Sequence, residues 1–130
     1  MPGNPEFLRN LEQRTNLPVR RVTYLADATP DAIHGIDRGI VFLMAFWSGY
    51  AVRAFVELKN VLARLSVEEL EVVVVDVDGA EQLAAIPELK EKLLMGYGET
   101  YWVRRGKIVA KSRYPLSDAQ QKTESLLCMP

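Results

Sequence analysis

The sequence predicts an α/β domain built on a mixed five-stranded sheet with helices on both faces. Three observations carry that expectation. Residues 40–47 and 72–77 are almost continuously apolar, the composition of strands covered on both sides. A helical pattern separates them, and a crossover of that kind demands parallel pairing. Toward the C-terminus two β-rich runs flank Arg104-Arg105-Gly106, and so short a connection demands an antiparallel pair.

Each element has its own warrant. Phe7, Leu8 and Leu11 at spacings of three and four suit a short helix over residues 6–16, stopped by Pro18. Residues 19–25, Val-Arg-Arg-Val-Thr-Tyr-Leu, read as a strand with an exposed start. Thr29-Pro30-Asp31 has the order of a helix start and implies one or two turns over residues 30–36. Residues 40–47 form the core strand. Residues 49–65 form the clearest helix: Phe55, Leu58, Leu62 and Leu65 make one face, Arg53, Glu57, Asn60 and Arg64 the other. After the valine-rich strand, Asp78 and Glu81 resemble a capping box opening a helix through Leu83, Ile86, Leu89, Leu93 and Leu94, which Pro87 should kink or split and Gly96 and Gly98 should end. The hairpin then pairs residues 101–103 with residues 107–110. Ser117 and Gln120 open a last helix ending near Leu127.

The chain of 130 residues is expected to be a single domain, 1–130, able to bury roughly two-thirds of its unfolded surface. With 48% hydrophobic and 25% charged residues it has the composition of an ordinary globular protein. Sixteen basic against seventeen acidic residues give a net charge of −1, so no global field favours nucleic acid or an anionic membrane, and neither is expected as a partner. One cysteine, Cys128, supplies neither an internal disulfide nor a thiolate metal cage, which suits a reducing compartment. With no signal-like N-terminus and no apolar stretch of ~18 residues, the expected location is the cytoplasm.

Few residues suggest chemistry. His34 lies among Asp27, Asp31 and Asp37, but their spacing matches no ligand signature and suits turn caps better. Asp76-Val77-Asp78-Gly79 begins like a calcium loop, yet the third acidic position is Ala80 and no glutamate follows at the twelfth. Phosphate-binding and nucleophile-elbow motifs are missing, and no cofactor or metal is expected. Arg104, Arg105, Lys107, Lys111 and Arg113 make a basic hairpin, read as a solvated turn and a charged edge that discourages strand pairing.

Val41-Phe42-Leu43-Met44-Ala45-Phe46-Trp47, followed by a helix, resembles the central strand of the thioredoxin superfamily, which ends in Phe-Trp just before the redox motif. The order of elements is also similar along nearly the whole chain. The resemblance implies a thioredoxin-like three-layer fold and places the two family cysteines at Ala51 and Ala54, with Val52-Arg53 between them. The family's buried acid falls on Ala45, and its cis-proline on Gly98 or, with one gap, Glu99. With these parts missing, the resemblance implies a redox-inactive protein with no dithiol enzyme activity, binding a protein partner as a chaperone, assembly factor, scaffold or inhibitor. The expected contact surface is the former active-site shelf: Trp47, Ser48, Gly49, Tyr50 and Arg53, completed by Gly98, Glu99 and Thr100. The alternative is an enzyme or small-ligand binder using non-thiol groups near Tyr50, Arg53, Glu99 or His34. Self-association into a homo-oligomer through a valine-rich sheet edge or the basic hairpin is a third possibility.

Overall fold

The computed structural model describes residues 19–130 apart from Ser66 and Leu94. The helix expected over residues 6–16 lies outside the described residues. Five strands, β1 (Val19–Leu25), β2 (Arg38–Met44), β3 (Val67–Asp76), β4 (Thr100–Arg104) and β5 (Lys107–Ser112), form one sheet in the order β1-β3-β2-β4-β5. Both β1 and β2 run parallel to β3, whereas β4 pairs antiparallel with β2 and β5 antiparallel with β4. The mixed five-stranded α/β sheet expected from the sequence is thus present.

The valine run sits in the middle of this sheet. Val72, Val74 and Val75 are fully buried because β3 is flanked on both sides and covered on both faces. The expectation of a valine-rich sheet edge for self-association is therefore corrected: the edges are β1 and β5.

Three α-helices are described: α1 (Asp31–His34), α2 (Gly49–Ala63) and α3 (Ala119–Leu127). Helices α2 and α3 pack on β2 and β4 and against each other. Phe42 of β2 meets Phe55 of α2 with ring centroids 5.1 Å apart. Trp102 of β4 is buried toward α3, its Nε1–H donating to Thr123 Oγ1 at 3.0 Å. Alternation along β4 turns Tyr101 to the opposite face, where its hydroxyl donates to the Glu88 carbonyl at 3.4 Å.

That opposite face is covered by a segment that differs from expectation. Instead of an α-helix, residues 77–79 and 81–85 form short 3₁₀ turns, and further turns follow at residues 87–93 and 95. The amides of Leu83, Ile86, Leu89, Lys92 and Met95 each donate to a carbonyl three residues back. Ala80, Leu83, Ile86 and Leu89 consequently share a buried side at a period of three. Two sequence features impose this. Asp76, not Asp78, acts as the cap, its Oδ1 accepting from the Asp78 amide at 2.9 Å. Pro87 pushes Ile86 out of the helical region, to ψ 115°, so no α-helix can propagate through it.

Smaller corrections have local causes. The strand expected over residues 40–47 ends at Met44, because the chain turns there, with the Ser48 amide donating to the Ala45 carbonyl. The last helix starts at Ala119 without a side-chain cap; Asp118 instead accepts from Ser112 Oγ and Lys122 Nζ. In the hairpin, Arg105 and Gly106 both have positive φ, 52° and 76°, the two-residue turn that matches strand twist. The basic hairpin is not a simple solvated turn: its amides donate to Asp37 and Ile36 carbonyls, and Arg104 pairs with Asp37 at 2.7 Å.

The Phe42–Phe55 contact ties the sheet to the helix that begins the candidate site. Phe42→Ala should destabilise the protein by about 3–5 kcal/mol in equilibrium urea unfolding, the ordinary cost of emptying a buried aromatic site. A loss below about 1 kcal/mol would show that β2 and α2 do not depend on this contact.

Candidate functional site

The site is built where β2 gives way to α2. Ser48 is extended, Gly49 opens the helix, and the first turn carries Ala51 and Ala54 inward, both fully buried. The loop before β4 lies directly on them. Gly98 has φ +64°, and a Cβ there would stand 2.5 Å from the Ala54 methyl and 3.2 Å from the Ala51 Cα. Only glycine fits such an approach in that backbone region. Ala45 is buried as well. Among the described residues the cis peptide bond is Tyr114–Pro115, so the bonds flanking Gly98 and Glu99 are trans.

Around this closed centre stands an aromatic shelf. Trp47 is 57% exposed, yet its ring lies against Gly96, where an added Cβ would come within 2.6 Å of it. Its Nε1–H donates to Asp78 Oδ1 at 3.3 Å, and the neighbouring Ser48 hydroxyl donates to the Gly96 carbonyl at 2.5 Å. Tyr50, 51% exposed, has its ring between those of Tyr97 and Tyr114, at centroid distances of 5.7 and 5.5 Å. The Tyr114 amide donates to the Tyr97 carbonyl, and the Arg113 guanidinium lies 5.1 Å from the Tyr97 ring centre. Met95 extends the exposed apolar surface.

The eight residues anticipated from the sequence divide accordingly. Trp47, Gly49, Tyr50 and Arg53 are exposed, and Ser48 is buried as a fastening. Gly98, Glu99 and Thr100 do not complete the surface: all three are buried, Thr100 with its hydroxyl donating to the Gly98 carbonyl. Tyr97, Tyr114 and Met95 take their place. The tyrosine between two glycines in Gly96-Tyr97-Gly98 could have drawn attention to residue 97. Tyr114 had no such signal, because only the β4–β5 register brings it to Tyr97.

Glu99 belongs elsewhere. It is 3% exposed, and neither carboxylate oxygen has a hydrogen-bond partner. It lines a cavity of about 190 Å³ with Lys92, Tyr101, Lys111, Ser112 and Arg113, a set that includes neither Tyr50 nor Arg53. Burial pushes its acid above the usual glutamate range, although the nearby Glu99 and Tyr97 amides and the charges of Lys92 and Arg113 favour the anion. Burial, reinforced by Glu99 and Glu88, likewise raises the Tyr101 phenol.

Among the described residues no three His, Cys, Asp or Glu side chains converge on a common point, and no helix is long and apolar enough to cross a membrane. His34 is exposed at the end of α1, and Cys128 is exposed at the end of α3.

This chain path recurs in solved thioredoxins. The reduced desulfothioredoxin of Desulfovibrio vulgaris Hildenborough superposes with a TM-score of 0.53 at 18% identity, over 81% of this chain and 94% of its own. Thioredoxin from Schistosoma mansoni gives 0.55 at 14% identity, over 82% and 94%. Thioredoxin from Aeropyrum pernix gives 0.50 at 16% identity, over 76% and 84%. No protein-family model matches the sequence, and no curated protein does. The chain has the thioredoxin fold. With a single cysteine, it carries no Cys-x-x-Cys motif.

The raised acid of Glu99 has a thermodynamic consequence. Between the ordinary value of 4.5 and its higher folded value, the native state holds a proton that the unfolded chain has released. The stability contributed by the neutral acid is full below the unfolded value and is lost as pH rises through the folded one. Urea unfolding from about pH 4 to about pH 8 should therefore show Glu99→Gln gaining stability relative to the parent as pH rises. A difference that stays flat with pH would mean that Glu99 ionises as an ordinary surface acid.

Proposed function

We propose that this chain is a redox-inactive thioredoxin-fold protein that binds a protein partner through the shelf formed by Trp47, Tyr50, Tyr97 and Met95. One observation carries the reading: the exposed aromatic rings are already held in place, Trp47 by Gly96 and Asp78, Tyr50 by two further tyrosines. Aromatic side chains are enriched at protein interfaces and concentrate their binding energy. Rings fixed before association lose less freedom on binding than mobile ones. Such a surface suits a chaperone, assembly factor, scaffold or inhibitor more than a catalyst.

The redox half of the proposal rests on shape as well as on missing sulfur. Family thiols act from the N-terminus of this helix, where the first is a nucleophile and must be reached by substrate. Position 51 is fully buried here, and the Gly98 loop lies over it.

Two experiments test these halves separately. A photo-crosslinking residue in place of Gly49, which faces open space, should identify the partner; purified partner should then bind the Trp47→Ala/Tyr50→Ala variant at least about tenfold more weakly, with unchanged circular dichroism. The control Val109→Ala, on the exposed edge strand β5, should bind normally. Equal affinity for parent and double variant would remove the shelf from the interaction. For the second half, Ala51→Cys/Ala54→Cys should show one fast-reacting thiol per native chain, the exposed Cys128, with the other two titrating only in denaturant and no insulin reduction. Rapid reaction at position 51 or measurable turnover would show that substitution alone, not burial, removed the activity.

A further inference from the structure

A buried acid and three basic groups line one cavity without forming an ion pair with one another. Glu99 reaches it from the residue before β4, on the same side of the sheet as Tyr101. Lys111 lies directly across the ladder from Tyr101, and Arg113 follows two residues later. Lys92 arrives from the turn segment that covers this face. Among the described residues, Lys92 and Lys111 enter no ion pair, and Arg113 is engaged only with the Tyr97 ring and the Tyr114 carbonyl, at 3.3 Å. Neither Glu99 oxygen makes a well-formed hydrogen bond, although the Glu99 and Tyr97 amides lie near and the residue is almost wholly buried. A buried polar group without a hydrogen bond is costly, and such groups in native proteins call for a specific explanation.

We propose that this cavity binds a small zwitterion of the α-amino acid class, with its ammonium group received by Glu99 and its carboxylate by Lys92, Lys111 and Arg113. The choice follows from elimination by charge. A simple anion would find the basic groups but could engage only the proton-bearing oxygen of Glu99. A simple amine would satisfy Glu99 but face three nearby cations. A molecule bearing both charges within a few bonds answers both demands. The volume is ample: about 190 Å³ admits a small amino acid with space to spare. Lys111 and Arg113 are exposed, so one side of the cavity opens to solvent and a longer side chain could project outward. The inference does not depend on the partner-binding shelf.

The test uses the full chain labelled with ¹⁵N and three probes: L-alanine, L-alaninamide, which lacks the carboxylate, and acetate, which lacks the amine. L-alanine should shift the amides of Glu99, Tyr101, Lys111 and Arg113 saturably, with the other two probes at least about tenfold weaker. Glu99→Gln should weaken L-alanine by at least about tenfold while leaving acetate unchanged. Lys92→Gln/Lys111→Gln, at half-buried and exposed positions that leave the core intact, should weaken L-alanine and acetate alike. Failure of L-alanine to saturate would overturn the proposal, as would equal binding of acetate and L-alanine, or indifference of L-alanine to both variants.

Discussion

The close approach of Gly98 to the first turn of α2 is the contact on which the site depends. The chain must cross from the turn segment to β4 directly over the helix, and it does so at a separation that leaves no room for a Cβ on residue 98. That separation also presumes small groups beneath. Ala51 and Ala54 each present a single methyl, and a sulfur in either place would have to find space at an interface already at contact distance. Glycine above and alanine below are therefore mutually adapted. Ala51 and Ala54 are thus part of the hydrophobic core.

From this contact the surrounding surface follows. Seating Gly98 on α2 carries Gly96 against the Trp47 ring and Tyr97 outward beside Tyr50. The backbone bond from the Tyr114 amide to Tyr97 then fixes the far side of the cluster, and Tyr114 closes on Tyr50. Three tyrosines and a tryptophan, drawn from three separate stretches of chain, converge because one loop is pressed down. A shelf made this way is buried at its base, at Ser48 and Gly98, and exposed at its rim, at Trp47 and Tyr50.

Much of the fold was legible because its strongest signals are those that tertiary context rarely overrides. The buried strands announced themselves through uninterrupted apolar residues, α2 through its two stripes, and the hairpin through a glycine-containing turn. The turn segment differs from its pattern because Leu83, Ile86 and Leu89 fit a helix of period 3.6 almost as well as the period of three they adopt; the decisive information lies in Pro87 and in which aspartate acts as the cap. The candidate site was legible only where it was local. Trp47 and Tyr50 flank a recognisable strand-to-helix junction, whereas Tyr114 reaches the shelf through a strand register that no local pattern encodes. Glu99 was placed next to the right loop but on the wrong side of it, since alternation between Gly98 and Thr100 decides which way an intervening side chain turns.

That alternation separates two kinds of chemistry in one small domain. A Cβ on Gly98 would point toward α2, and what it would meet there is uncharged: Ala51, Ala54 and Phe42. The partial positive charge of the helix N-terminus consequently has no thiolate to stabilise, and a ligand meeting this side would gain chiefly from apolar and aromatic contact. Glu99 turns the other way, into the part of the domain where burial and charge coexist. A buried acid thus stands on that face, among cations. The charged groups around Glu99 therefore lie on the β4–β5 hairpin and the turn segment, while the contact of Gly98 with α2 is apolar.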